Sequence, residues 1–339
     1  MDRNCIFFTS VVVAVALNSC DAIFLHEKDP TPTEVFDEFW EAVDRRYVCF
    51  SNKDVDWDGV YSKYRPQISD RTDEEELFSV LSRMFGEFED GHTALSSGTK
   101  KWSGYQIDSE INYSQGVVNQ YFNSIIRRSG PLQYSIIGEG VVGYIRYASL
   151  SDNITDKQVV EVLDYCRNCQ GLILDLRENP GGELQNVFTL LKYLPTKNEI
   201  YRTYSRHNAV REDLQLSEII MLNEMVSESK KWYQPFIVLI DSRSYSASSI
   251  FAMCAKECMN VKTVGVKSGG GTSFADYFEL SNGWIYRIPT KKVIPGSGID
   301  YENGIIPDYE IHLDSVAVAE NRDNIIDFAC EVIHSLLNK

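Results

Sequence analysis

The sequence lacks an apolar run long enough to span a membrane. A spanning helix needs about 20 consecutive apolar residues, but the apolar stretch at residues 5–17 is shorter and is interrupted by Thr9 and Ser10. An excess of positive charge is also absent, since 33 Lys and Arg face 49 Asp and Glu, for a formal net charge of −16. This acidic balance disfavours non-specific binding to nucleic acid or to anionic lipid, and we expect no nucleic-acid partner.

Residue patterns for metals and cofactors are scarce as well. The chain has five histidines, and its single Cys-x-x-Cys, Cys166 to Cys169, lacks the second pair that zinc sites usually have. The cysteines beyond the N-terminal segment predict buried small side chains, with a Cys166–Cys169 disulfide as an alternative in an oxidising compartment. We therefore expect neither a metal nor a cofactor.

The N-terminus has the features of an export signal. Residues 1–19 contain an apolar segment with the length of a signal-peptide h-region, and Leu17-Asn-Ser-Cys20 resembles a bacterial lipobox. The resemblance implies cleavage before Cys20, acylation of that cysteine, and a lipoprotein anchored to a membrane of the cell envelope. Residues 20–33 would then be a tether. The alternative is an ordinary signal peptide cut elsewhere, with Cys20 incidental.

The rest of the chain divides into two regions by its hydrophobic pattern. Residues 34–95 show amphipathic helices, the first with Thr33 as its expected N-cap, and predict a small N-terminal helical domain. Residues 96–339 alternate buried-type strands with helices, which is typical of an α/β core. The three clearest strands are expected at 143–147, 171–176 and 235–240.

Ser246 is the candidate nucleophile. A helix is expected from Ala247 onward, so the Ser246 hydroxyl would lie at a helix N-terminus, where the Ala247 N–H favours a developing oxyanion. Gly181 and Gly182 follow another strand and could supply a second donor, and the Gly-x-Gly-x-x-Gly spacing of a dinucleotide site is not found at that turn. The alternative is that these segments are a tight turn and ordinary capping serines.

A serine nucleophile needs a base and a group that orients the base. His92 follows a glycine in a loop after an apolar helix, where its side chain could reach a cleft. Glu302 sits in a turn-rich stretch late in the chain. Taken singly, His92 is more typical of a solvated loop histidine, and Glu302 of a surface carboxylate.

Three ordered blocks together resemble the C-terminal processing peptidase family, which includes the tricorn protease core. They are Asp90-Gly-His-Thr93, Gly171-Leu-Ile-Leu-Asp-Leu-Arg-Glu-Asn-Pro-Gly-Gly182, and Tyr245-Ser-Ala-Ser248 followed by Gly304-Ile-Ile-Pro-Asp308. The resemblance covers about residues 34–315. It implies an α/β fold in which a small helical domain precedes a ββα-repeat peptidase core of the ClpP or crotonase kind.

The resemblance also implies roles for individual residues. One branch of the family uses a Ser–Lys dyad with the lysine 25 residues after the serine, but that position here is Gly271, and Lys267 is out of register. The tricorn-like branch implies Ser246 as nucleophile, His92 as general base and acid, and Glu302 as the residue that orients His92. The oxyanion hole would be formed by the backbone N–H groups of Ala247 and of Gly181 or Gly182.

Many members of the family insert a PDZ module after the helical domain. Residues 96–138 number 43, whereas such a module needs about 80–90 residues, so we expect no complete PDZ module. The predicted protein is a lipid-anchored serine endopeptidase that cleaves unfolded or C-terminal polypeptide segments through an acyl-enzyme. A catalytically weak or inactive ligand- or peptide-binding protein on the same scaffold, or an esterase, is the alternative.

Overall fold

The structure is a computed structural model of the 339-residue chain. It describes residues 29–105, 112–121, 126–138, 141–208, 210–222 and 226–337. The predicted signal peptide at residues 1–19 and the predicted lipidation site Cys20 lie outside the described residues. Within the described ranges, no helix combines the length and the apolar character needed to cross a bilayer.

The described residues form a mixed α/β fold with a helical N-terminal region. Their α-helices are α1 (Pro32–Arg46), α2 (Phe50–Lys53), α3 (Trp57–Tyr64), α4 (Glu74–Gly86), α5 (Gln115–Tyr121), α6 (Asp156–Cys166), α7 (Leu184–Leu191), α8 (Ala247–Ala255), α9 (Ser315–Ala319) and α10 (Asn324–Leu337). Their strands are β1 (Ala94–Ser96), β2 (Lys101–Ser103), β3 (Arg127–Ser129), β4 (Leu132–Ile137), β5 (Val142–Arg146), β6 (Gly171–Asp175), β7 (Glu199–Arg206), β8 (Leu214–Met221), β9 (Phe236–Ile240), β10 (Val261–Gly265), β11 (Phe274–Glu279), β12 (Ile285–Pro295) and β13 (Tyr309–Glu310).

A seven-stranded sheet forms the centre of the α/β core. Its strand order is β13-β10-β9-β6-β5-β4-β3; the strands from β13 to β5 are parallel, and β4 and β3 are added antiparallel. Every residue of β5, β6 and β9 is buried. Strands covered on both faces have continuous apolar runs, which is why the sequence located these three strands to within one residue at each end.

Helices cover both faces of this sheet. Helices α6, α7 and α8 pack on one face, where Val162, Leu191 and Phe251 are buried, while α5 and α10 pack on the other through Val118 and Ile326. Strands β6 and β9 are parallel neighbours, so their carboxyl ends lie at the same edge of the sheet. The turns that follow these two strands are therefore adjacent, and in open α/β sheets this edge is where ligands bind.

A second, antiparallel sheet joins the N-terminal helices to the C-terminal half of the chain. Its order is β2-β1-β12-β7-β8, and β11 also pairs with β12. Phe39 of α1 contacts Phe85 of α4 and Tyr286 of β12 with ring centroids 4.7 and 5.9 Å apart. The helical region predicted at residues 34–95 thus shares one core with strand residues almost 200 positions later, such as Tyr286 and Ile288.

Helix α1 begins earlier than the sequence pattern predicted. Its N-cap is Thr31 rather than Thr33: the Thr31 hydroxyl accepts from the Glu34 N–H, and the Glu34 carboxylate accepts from the Thr31 N–H. Pro32 takes the first helical position, which suits proline because an N–H there would have no partner in the helix. The helix therefore starts inside the segment 20–33 that was predicted to be a tether.

Candidate active site

Ser246 lies at a strained turn between β9 and α8. Its backbone has φ 55° and ψ −122°, a conformation that residues with a side chain rarely adopt and that costs about 1–3 kcal/mol. The Ser246 N–H donates to the Gly270 carbonyl at 2.9 Å, and the Ser246 carbonyl accepts from the Ile250 N–H in the first turn of the helix. This is the geometry of a nucleophile elbow, which presents the hydroxyl at a helix N-terminus.

The turn before β1 fixes the backbone of His92. Oδ1 of Asp90 accepts the His92 N–H at 2.8 Å, and Oδ2 accepts the Tyr47 hydroxyl at 2.7 Å. The Asp90 carbonyl accepts both the hydroxyl and the N–H of Thr93. A Cβ on Gly104 would lie only 2.2 Å from that carbonyl oxygen, so the backbone of Gly104 packs directly against the turn. The Asp-Gly-His-Thr block therefore specifies a rigid turn.

The structure brings His92 and Ser246 together. Nε2 of His92 lies 3.1 Å from Oγ of Ser246, although the two residues are 154 positions apart in the chain. Burial lowers the pKa of His92 from 6.5 to about 4; nearby Asp90 opposes this shift, and the charges of Arg287 and Lys53 add to it. The imidazole is therefore neutral at pH 7, and a neutral imidazole at this distance can accept the hydroxyl proton.

Glu302 is buried close to Asp90, in the turn that carries His92, but it is not hydrogen-bonded to His92. Its Oε2 accepts the Ser273 N–H at 2.7 Å, whereas its Oε1 and the Nδ1 of His92 have no hydrogen-bond partner within the described part of the chain. Burial, followed by the charge of Asp90, raises the pKa of Glu302 from 4.5 to about 7. The contact between base and acid that the resemblance implied is thus not made in this conformation.

The expected oxyanion donors are only partly in place. Gly181, with φ 95°, lies against the elbow, because a Cβ there would meet the Ser246 Cβ and the Ala247 nitrogen at 2.9 Å. Its N–H, however, donates to Oδ1 of Asn179 at 2.9 Å. Gly182 packs instead against the loop before α6. Ala247 is the first residue of α8, where an N–H has no partner inside the helix.

Two buried aspartates that the sequence reasoning did not single out hold the turns in position. Asp241, directly after β9, accepts the Glu178 N–H at 2.8 Å. This hydrogen bond connects the turn that contains Gly181 to the elbow at Ser246. Asp175, the last residue of β6, pairs with Arg177 at 2.6 Å, and Arg177 also reaches Asp323 at 2.9 Å, all three side chains being fully buried. Their position directly at the carboxyl ends of parallel strands was the available signal.

Tyr245 supports the imidazole and was also missed. Its ring centroid lies 5.0 Å from that of His92 and 5.1 Å from that of Tyr105. A Cβ on Gly91 would lie 2.7 Å from the Tyr245 Oη, and one on Gly271 would lie 2.3 Å from its Cζ. The glycine found at the lysine position of the other branch therefore has a packing role here.

Three other residues that the sequence singled out, Lys267, Cys166 and Cys169, form no hydrogen bond with Ser246 or His92 within the described part of the chain. Lys267 is exposed, with its aliphatic chain against the position of a Cβ on Gly304. Cys166 and Cys169 are buried free thiols, so the disulfide that the sequence left open is not formed in this structure.

Two family models match this chain. The model of the tricorn protease C1 domain matches residues 29–86, and the model of peptidase family S41 matches residues 141–311, half of the chain. The longer match contains both the strained turn at Ser246 and Glu302. The chain belongs to peptidase family S41. Its helical N-terminal region and its α/β core thus each have a counterpart in this group of proteases.

Individual relatives agree with the assignment. The carboxy-terminal-processing protease of Bartonella bacilliformis is 25% identical over 232 residues, which cover 62% of this chain and 51% of that protein. The carboxy-terminal processing protease CtpA of Bacillus subtilis is 26% identical over 229 residues, which cover 66% and 46%. The chain therefore spans about half the length of the curated relatives it matches.

Two solved structures align with a larger share of this chain than these curated relatives do. A candidate peptidase from Parabacteroides merdae aligns with a TM-score of 0.82 and 27% identity, over 90% of this chain and 97% of that chain. The tricorn protease aligns with a TM-score of 0.54 and 17% identity, over 90% of this chain and 37% of that chain. The mixed α/β fold with a helical N-terminal region is thus the fold of S41 structures.

Proposed function

We propose that this S41 chain is a serine peptidase that cleaves unfolded or C-terminal polypeptide segments through an acyl-enzyme. Ser246 attacks the carbonyl carbon of the scissile bond while His92 accepts its proton, and His92 then protonates the leaving amine. Water, deprotonated by His92, hydrolyses the ester. The observation that carries this proposal is the 3.1 Å separation of Nε2 and Oγ at a turn with φ 55°.

Two local rearrangements complete the proposed site. Glu302 turns Oε1 toward Nδ1 of His92, which removes the two unpartnered buried atoms at once and stabilises the imidazolium. Gly181 releases Asn179 and, with the N–H of Ala247, donates to the oxyanion. Gly182, whose Cβ position faces Leu150 and Ser151, is the alternative second donor.

Cleavage assays with matched serine variants test the proposal. The substrates are an unfolded protein and one peptide prepared with a free and with an amidated C-terminus. S246A should lose on the order of 10⁴-fold or more in kcat, whereas S248A, which removes a buried hydroxyl two residues further on, should stay within about tenfold. Peptidase activity that persists in S246A contradicts the proposal. A preference for the free C-terminus supports processing from that end.

A peptide-binding protein is the second candidate function. The hydrogen bond at Gly181 and the Nδ1 of His92, which has no partner among the described residues, favour it. The Gly181 N–H is already occupied by Asn179, and His92 lacks its acid partner, as in a scaffold that binds without turnover. Calorimetry with an uncleaved peptide, combined with the cleavage assay, distinguishes the two. Binding without any cleavage by the native protein identifies the binder.

We also propose that the protein is exported and tethered to a membrane of the cell envelope by lipid on Cys20. The lipobox-like Leu17-Asn-Ser-Cys20 supports this. Metabolic labelling with a fatty-acid probe should mark the native chain and not C20A, while C49A serves as the control for loss of an unrelated cysteine. Equal labelling of C20A contradicts the anchor.

We also propose two finer features of the architecture. The antiparallel pair β4–β5 followed by α6 has the order of a ββα repeat, which supports a core of the ClpP or crotonase kind. The described residues between 96 and 138 already contribute β2, β3 and β4 to the two sheets, which supports the expectation that no complete PDZ module is present. An experimental structure tests both.

A further inference from the structure

Cys49, Asp90 and Glu302 bring three potential metal ligands together in the interior. The Sγ atom and one oxygen of each carboxylate all lie within 4.8 Å of one another. Cys49 and Asp90 are 0% exposed, and Glu302 is 1% exposed. Oε1 of Glu302 has no hydrogen-bond partner among the described residues. A buried carboxylate oxygen without a partner is costly, and a cation that takes Oε1 as its ligand would remove that cost.

The ligand types indicate which cation fits. Mg²⁺ and Ca²⁺ take oxygen ligands, whereas a thiolate favours zinc. Tetrahedral zinc has bonds of about 2.0–2.3 Å, which place its ligand atoms about 3.3–3.8 Å apart, so the three side chains need to approach by about 1 Å. The Cys49 thiol contacts Oγ of Ser273 at 3.3 Å, and rotation about its Cα–Cβ bond can exchange this weak contact for the metal.

We propose that Cys49, Asp90 and Glu302 form a zinc site that inhibits the enzyme when it is occupied. Binding replaces the S–H bond of Cys49 by an S–Zn bond and releases the proton to solvent, and water completes the coordination. Glu302 held by zinc cannot orient His92, so turnover falls. This consequence rests on the proposed function, but zinc binding itself does not.

Zinc binding is tested on full-length protein in which the neighbouring thiol pair has been removed as C166S/C169S. Competition with a chromophoric chelator should give one bound equivalent of Zn²⁺. Adding C49S, whose hydroxyl keeps the contact with Ser273 but cannot supply a thiolate, should weaken binding at least tenfold, whereas the matched control C330S should not. Co²⁺ added to C166S/C169S should show a thiolate charge-transfer band that disappears when C49S is added. Absence of stoichiometric binding, or equal binding by C49S, overturns the site.

Inhibition is tested by fluorophosphonate labelling with and without one equivalent of Zn²⁺. Labelling should fall at least tenfold in native protein and stay unchanged in C49S. Zinc that binds through Cys49 without lowering the labelling overturns the inhibitory role and leaves the site standing. Protein that is never labelled, even without zinc, contradicts the proposed peptidase function, while the chelator competition still decides the zinc site.

Discussion

The ring of Tyr245 packs against the imidazole of His92, with the two centroids 5.0 Å apart. Tyr245 immediately precedes Ser246, so one short segment supplies both the candidate nucleophile and a support for its base. Gly271 makes this arrangement possible, since a Cβ there would lie 2.3 Å from Cζ of Tyr245. Displacement of this ring should therefore affect the chemistry more than the fold.

Substitution of Gly271 tests that relationship. G271A forces the Tyr245 ring away from His92 and should lower kcat at least tenfold, with a smaller change in KM. Gly298 offers a matched control, because its φ of 78° resembles the 65° of Gly271 but no atom lies within 4 Å of its Cβ position. G298A therefore carries the backbone strain alone. Equal kinetic effects of the two substitutions would show that the ring contact is unimportant.

The strain at Ser246 predicts an unusual order of stabilities. Glycine adopts φ 55° without strain whereas alanine does not, so S246G should be more stable than S246A by about 1 kcal/mol in the free energy of unfolding. At Ser248, which has a helical conformation in α8, the order should reverse, with S248A more stable than S248G by about 1 kcal/mol. Urea denaturation measures all four. The same order at both positions would argue against a strained elbow.

The raised pKa of Glu302 predicts a pH-dependent stability. A carboxyl whose pKa rises from 4.5 to about 7 on folding contributes stability that is complete below pH 4.5 and is lost as the pH rises through about 7. Native protein should therefore lose about 3 kcal/mol relative to E302Q between these limits. E310Q, at an exposed side chain, provides the baseline. A difference between native protein and E302Q that does not change with pH would contradict the burial of this carboxyl.

Much of the fold was predictable because the central strands are buried on both faces. β6 and β9 consist of unbroken apolar residues, apart from a terminal glycine and aspartate in β6, and few other structures suit such short runs. The β7–β8 pair was not predicted, because most residues of β8 are solvent-exposed. The exposed Leu216 and Ile219 are three residues apart, so the apolar residues of β8 do not follow the two-residue period of a half-buried strand. The N-cap of α1 shifted to Thr31 because Pro32 fits the first helical turn.

The sequence motifs predicted that Ser246 and His92 belong together, but they did not predict the hydrogen bonds around these residues. The motifs identified Ser246 and His92, and the fold places them 3.1 Å apart. Sequence spacing carries no information on side-chain rotation, so it could not show that Oε1 of Glu302 is left without a partner. Nor could it show that Asn179 occupies the Gly181 N–H. Both features depend on how three distant segments pack at one sheet edge.

The most direct test is covalent labelling by a fluorophosphonate. It shows which serine reacts and whether the reaction depends on His92. Zinc-free native protein should be labelled, and mass spectrometry of the digest should place the adduct on Ser246. H92A should lower the labelling rate by at least about 10³-fold, whereas K267A, which removes an exposed lysine, should leave it within about twofold. Labelling that persists in H92A and is lost in K267A, or an adduct on another serine, would contradict the assignment of Ser246 and His92.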